Sequence, residues 1–299
     1  MHDVSLPLPT SLSPSKVASF KDCALSFRLS VIDRVPEVPS PQAAKGTLVH
    51  RALQRLFWED PGRRTRGRAH DLVGLAAVEV LEGDEYAPLG LAGPERDEFL
   101  SDAVALVDNY FKLEDPSDVR CIGTELRMAA AIGDLTLRGI IDRLELDADG
   151  QLVVTDYKTG SAPAATHELP RLGGVHFYAF LCERVLGRRP ARIQLLHLRE
   201  PLVISTVPSD GSARGLQVQT QAIWSAIERA CRDEDFRPRP GRLCSWCSFH
   251  AYCPAVGGDL ALVSASAGPG PDSAPPPTIP AGGGERAPAP ARAVVGAGL

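Results

Sequence analysis

Lysine is scarce in this chain, at five of 299 residues, and the 32 basic side chains are outnumbered by 37 acidic ones for a formal charge of −5. That balance excludes a protein that coats nucleic acid through overall charge, while leaving room for a local basic groove. Runs of about 18 consecutive apolar residues are missing, so no membrane-spanning helix is expected. The start, MHDVSLPLPTSLSPS, has no basic segment followed by an apolar run, and a cytoplasmic protein is the expectation. Internal repeats and a G-x-x-x-x-G-K-S/T phosphate loop are absent too. A P-loop nucleotide-hydrolysing motor is therefore not expected within this chain.

What is present is enough apolar material, 44% of the chain, to bury a substantial core. Ser13-Pro14-Ser15 reads as a helix start, followed by Val17, Phe20, Ala24 and Phe27 at helical spacing, with Cys23 on the same inward stripe. After a proline-rich turn, Gly46-Thr47 leads into an amphipathic helix with His50 in its first turn. Further helices are read around 69–82 and 96–113. From about Val119 the texture becomes a three-strand antiparallel meander, with turns at 133–134 and 147–150. A helix from Leu172 to Leu186, two strands and a helix from Gly215 to Cys231 follow. The pattern predicts an α/β or α+β domain with a mixed sheet. Residues 1–12 are expected to be a flexible start, and 257–299 an Ala/Pro/Gly-rich disordered tail.

Three arginine groups stand out: Arg63, Arg64, Arg66 and Arg68; Arg188, Arg189 and Arg192; and Arg237, Arg239 and Arg242. Each reads either as solvated loop charge or as a phosphate-binding patch. The sharpest feature is a hairpin carrying Asp142 on one strand and Asp156-Tyr157-Lys158 at the end of the next. Antiparallel pairing brings the two carboxylates to neighbouring positions, and residues two apart on a strand place Asp156 and Lys158 on one face. Carboxylate oxygens suit Mg²⁺ or Mn²⁺, and a nearby ammonium stabilises charge developing on a phosphodiester. An isolated Asp-x-Lys is more often a surface ion pair.

Here, however, GIIDRLELDADGQLVVTDYKTG, with GTLVH upstream and HFYAF downstream, resembles RecB-type nucleases of the PD-(D/E)XK superfamily, and the resemblance runs from about Leu12 to Pro254. It implies a restriction-endonuclease-like α/β fold: a mixed central sheet flanked by helices, with a helical N-terminal portion. His50, Asp142 and Asp156 become metal ligands and Lys158 the catalytic lysine. Glu125 matches an acidic position that either supports the metal through water or faces solvent. Tyr178 either contacts substrate or is a half-buried helix residue. Gly174 stands where the family commonly has a glutamine, which puts fine positioning of the substrate in question. The implied activity is metal-dependent hydrolysis of DNA, as an exonuclease on single-stranded ends, in repair or recombination. The rival is a non-catalytic DNA-binding or scaffold subunit of the same fold.

Seven cysteines in a reducing compartment are ligands or packing, not a disulfide framework. Cys244, Cys247 and Cys253 have ligand spacing but need a fourth partner, either His250 as in a zinc knuckle or a distant cysteine. Cys23 in FKDCALSF resembles the remote first cysteine of the iron–sulfur staple of AddB and CRISPR-associated nucleases. That resemblance implies a 4Fe-4S cluster on Cys23, Cys244, Cys247 and Cys253, closing the two ends of a nuclease domain spanning 13–256. Cys121, Cys182 and Cys231 read as packing thiols.

Overall fold

The computed structural model describes residues 6–161 and 168–265, with side chains described in 6–161 and 176–263. Helix α1 (Pro14–Asp22) starts as expected: the Ser13 hydroxyl accepts the Lys16 N–H, and Pro14 fills a position whose N–H needs no partner. It stops one residue early for the predicted stripe. Cys23 is extended, at φ −159° and ψ 111°, and the short α2 (Ala24–Phe27) begins a new turn. The sequence had placed Cys23 inside a continuous helix; the break puts it at the junction of two helices, where it still packs against the core with Val17 and Phe20.

Helix α3 (Pro41–Leu56) also departs from expectation, starting five residues before Gly46 because Ser40 caps it and Pro41 opens it. His50 therefore lies in its third turn, not its first. Gly46, inside the helix, lies close to the end of β3, and a Cβ there would meet Thr159 Oγ1 at 3.2 Å. With α4 (Arg66–Leu81) and α5 (Gly93–Tyr110), α3 forms a helical layer whose core includes Leu48, Leu53, Val73, Phe99 and Val107.

The meander appears as β1 (Arg120–Ile132), β2 (Leu135–Leu146) and β3 (Leu152–Lys158). Helix α6 (Glu168–Leu186) crosses over to β4 (Arg192–His197), which runs parallel to β3, and β5 (Leu202–Thr206) returns antiparallel. The sheet order is β1-β2-β3-β4-β5, so the sheet is mixed, as expected. Helix α7 (Asp210–Asp233) follows behind a Ser209/Ser212 capping box. One core lies on the α3–α5 side and includes Tyr157 and Leu196; the other gathers Leu144, Val154, Phe177, Leu181 and Ile227 beneath α6 and α7. The result is an α/β sandwich of helices on both faces of one sheet.

Part of the start expected to be flexible is bonded into this frame. Leu12 is fully buried, donating to Thr136 O at 2.9 Å and accepting from Arg138 N–H at 2.8 Å. At the other end, Val263 is buried, so packing continues beyond Gly257. The expected tail from residue 266 onward lies outside the described residues.

The arginine groups are largely spent on internal bonds. Arg64 donates to the carbonyls of Glu59, Pro116 and Val119, Arg68 pairs with Glu59, and Arg66 with Asp108. Arg189 pairs with Glu183 and Asp210, and Arg237 with Asp235. Among these groups, phosphate binding has little free guanidinium to draw on.

Candidate metal centre

Strands β2 and β3 pair from Leu146↔Leu152 to Arg143↔Thr155 and then separate. At the point of separation the Asp142 carboxylate takes the Tyr157 N–H, at 2.8 Å, that a continued ladder would have given to backbone. From α3, His50 Nε2 reaches the Tyr157 carbonyl at 3.1 Å, while Nδ1 faces Asp142 Oδ2 at 3.5 Å. A carbonyl only accepts, so Nε2 carries the proton and the Nδ1 lone pair points at the carboxylate when the ring is neutral. That is how a metal-binding histidine is oriented by its second nitrogen.

Glu125 completes the group from β1. Its flanking pairs, Thr124↔Arg143 and Leu126↔Ile141, place it opposite Asp142. Its φ of +51° is left-handed, a conformation that costs a non-glycine residue roughly 1–3 kcal/mol and re-aims the side chain. One ligand atom each from His50, Glu125 and Asp142 lie within 4.8 Å of one another; this is the sole such trio among the described residues. Glu125, read from sequence as an accessory, thus stands among the ligand atoms.

Asp156 stands just behind this trio. It is 4% exposed; Oδ2 is ion-paired with Lys158 Nζ, and Oδ1 accepts the Tyr178 hydroxyl at 3.2 Å. Helix α6 lies close over β2 at Gly139, where a Cβ would meet Leu181 Cδ1 at 2.8 Å and Tyr178 Cε1 at 3.4 Å. Glycine inside a strand is the signal for such an approach, and Gly139 had been passed over.

Negative charge is in excess at this site. Burial, then the Asp142 charge, pushes the Glu125 carboxyl above its ordinary range. Asp156 is raised by burial and by Asp142, against the pull of Lys158. Burial works to lower His50, but its bond to Asp142 and the surrounding carboxylates raise it overall. Each group holds its proton more tightly folded than unfolded, so the stability it contributes is present at low pH and lost as pH rises through the folded value. For the carboxylates that loss begins above about pH 4, and for His50 above about pH 6.5. Chelated protein is therefore expected to melt at lower temperature at pH 8 than at pH 6, by about 2–4 °C per kcal/mol lost. Thermal melts with EDTA check this, and Mg²⁺ should restore more at pH 8, where the ligands are deprotonated.

Behind the centre, on the α3–α5 face, lies a polar cluster that sequence reasoning missed. Arg143, 0% exposed, donates to Glu114, Glu145, Tyr157 Oη at 3.0 Å, Thr155 Oγ1 at 3.2 Å and Tyr110 Oη at 3.3 Å, and lies 4.6 Å from the centre of the Phe57 ring. It clamps the side chain of Tyr157, whose backbone holds both Asp142 and His50. Arginine is rarely buried without partners, and no spacing in the sequence announces them. Arg143→Met strands two carboxylates and is expected to cost about 3–5 kcal/mol in urea unfolding; Arg143→Lys, lacking the planar fork, should recover little of it.

A second site joins the ends of the fold. Cys23, Cys244, Cys247 and Cys253 line one cavity of about 760 Å³. The Arg239 N–H points at Cys23 Sγ at 3.4 Å and the Gly241 N–H at Cys244 Sγ at 3.3 Å. Burial raises the Cys247 thiol, and so do the other three cysteines. His250 Nε2 bonds to the Cys244 carbonyl. Gly258 closes the loop where a Cβ would meet His250 O at 2.2 Å. Cys182 and Cys231 are buried in the core, and Cys121 is partly buried.

Several known proteins resemble this one. Over 188 residues it is 27% identical to the Gene 69 protein of Mycobacterium phage D29, covering 56% of this chain and 68% of that one. A crystal structure from Eubacterium rectale named "Putative exonuclease" superposes with a TM-score of 0.50 at 11% identity, covering 80% of this chain and 87% of that one, a likeness of fold alone. The sequence profile of the PD-(D/E)XK nuclease superfamily matches residues 11–254, nearly the whole of the described fold, and the chain belongs to that superfamily.

Proposed function

We propose that this protein is a divalent-metal-dependent deoxyribonuclease of RecB type that degrades single-stranded DNA from its ends. The observation that carries the reading is the convergence of His50, Glu125 and Asp142 at the parting of β2 and β3, with Asp156 and Lys158 alongside. A surplus of buried carboxylate facing a histidine lone pair fits a hard cation, and nucleases of this superfamily use divalent metals. Bound there, Mg²⁺ or Mn²⁺ would offset phosphate charge and acidify a water. His50, Glu125 and Asp142 hold that position, and Asp156 adds a carboxylate at its edge. Lys158, whose side chain is 46% exposed, presents its ammonium on the open side, where it orients the attacking water and stabilises charge on the phosphate. Tyr178, kept protonated by burial and by Asp156, holds that carboxylate in place.

The cysteine cavity supports a 4Fe-4S cluster of the AddB type. Zinc at about 2.3 Å from each sulfur would bring the thiols to about 3.8 Å apart. No three of these sulfurs lie within 4.8 Å of one another. Backbone N–H groups aimed at Cys23 and Cys244 suit thiolates. In this reading the nuclease domain runs from the packed Leu12 to Val263, a little wider at each end than 13–256, and is closed by the cluster, in a cytoplasmic protein acting in repair or recombination beside a helicase.

The test is incubation with end-labelled single- and double-stranded DNA, with Mg²⁺, Mn²⁺ or EDTA. Stepwise shortening of single strands, stopped by EDTA, is the expected result; no cleavage with either metal overturns it.

A further inference from the structure

Trp58 is 65% exposed, yet its ring is not loose. It follows the core residue Phe57 at the end of α3, and its indole N–H donates to Thr124 Oγ1 at 3.2 Å. Thr124 is the neighbour of Glu125, so the bond ties the ring to the segment of β1 that delivers a carboxylate to the metal centre. On the other side, Trp58 stands in the turn just past the C-terminal end of α3, the helix that carries His50. The charges of Arg51 and Arg127 act on Glu125, the residue next to Thr124. An exposed, oriented aromatic face is thus fastened to the strand segment that carries one of the candidate metal ligands.

We propose that Trp58 is a stacking platform for one nucleobase of single-stranded DNA, next to but not at the scissile phosphate. The inference rests on the nuclease reading above and adds to it a subsite that recognises an unstacked base. In a duplex the base faces are covered by their neighbours, whereas a single strand offers them to a ring, and stacking is tolerant of sequence because every base has a π-face. The platform therefore favours single strands without selecting a sequence. Its structural rival is a clip, in which the Trp58–Thr124 bond merely fastens α3 to β1.

Oligonucleotides carrying one abasic residue, moved stepwise along the strand, separate the two. Cleavage is measured with Mn²⁺ and binding with Ca²⁺ by fluorescence polarisation, for wild type, Trp58→Ala, Trp58→Phe and Thr124→Val. In wild type, one abasic position should weaken binding and slow cleavage by about 5- to 100-fold, the worth of one stacked base. Trp58→Ala should impose a like loss on intact DNA and erase the abasic penalty. Trp58→Phe and Thr124→Val, which keep an aromatic face, should retain most of it. If Trp58→Ala does not fold, Trp58→Leu takes its place, apolar but without a π-face. Absence of any position-dependent penalty in wild type overturns the proposal. So does an undiminished penalty in Trp58→Ala, or Thr124→Val behaving as Trp58→Ala. If no metal supports cleavage by wild type, the nuclease reading fails separately, and the binding arm still decides Trp58.

Discussion

Asp156→Asn is expected to cut the rate of DNA cleavage by about 10- to 100-fold, the scale of losing a group that supports a metal site, and at the same time to raise the melting temperature of chelated protein. The two effects have one cause. Asp156 is buried beside Asp142, and burial and that neighbouring charge both oppose its ionised form. The amide has nearly the same shape and carries no charge, so the repulsion disappears. Lys158 loses its partner, but its side chain is 46% exposed and can turn to water. Native active sites commonly hold such strained charge at a cost in stability. Labelled-DNA assays and thermal melts on the same preparation decide it: full activity sinks the assignment, and a lower melting temperature shows that the ion pair with Lys158 outweighs the repulsion. Lys158→Ala should keep metal affinity while losing most turnover, because the ammonium acts on the reaction and not on the ion.

The strands and their turns were legible in the sequence because each depends on a local signal. The alternating pattern of LTLRGIIDRLEL and the turn residues Gly133 and Gly150, both at positive φ, suffice to define the hairpins. Asp142, Asp156 and Lys158 were then placed by register arithmetic alone. What was not legible depends on contacts between distant segments. The role of Glu125 turns on a left-handed backbone that no propensity favours for glutamate. Arg143 looks like a surface residue until Glu114, Glu145 and Tyr157 are brought around it. His50 moved from the first to the third turn of its helix because Ser40-Pro41 is a stronger start signal than Gly46-Thr47. The same rule had been applied correctly at Ser13-Pro14.

If the cysteine cavity holds the proposed 4Fe-4S cluster, Cys23→Ala is expected to remove most of its iron and to raise protease cutting near both ends of the fold, which a merely local metal loop would not do. Cys23 and the trio Cys244, Cys247 and Cys253 are separated by nearly the whole described chain, so a cluster bridging them closes a very long loop. Closing such a loop restricts the unfolded chain, with an idealised benefit of about 3–5 kcal/mol by analogy with a long disulfide. The local structure supports the bridge: α1 is broken at Cys23, and Arg239 is held to that region twice, through its N–H to Cys23 Sγ and through its guanidinium to the Lys21 carbonyl at 3.0 Å. Loss of the bridge should therefore free the segment carrying Arg237, Arg239 and Arg242 from α1. Cys247→Ala should behave in the same way. Cys121→Ala, which removes a thiol packed against the α3–α5 core, should keep its iron. The measurements are iron and sulfide content of protein purified without oxygen, and limited proteolysis. Should Cys23→Ala keep its full iron and sulfide while His250→Ala loses them, the ligands are local to the C-terminal loop and the two ends of the fold are held by packing alone.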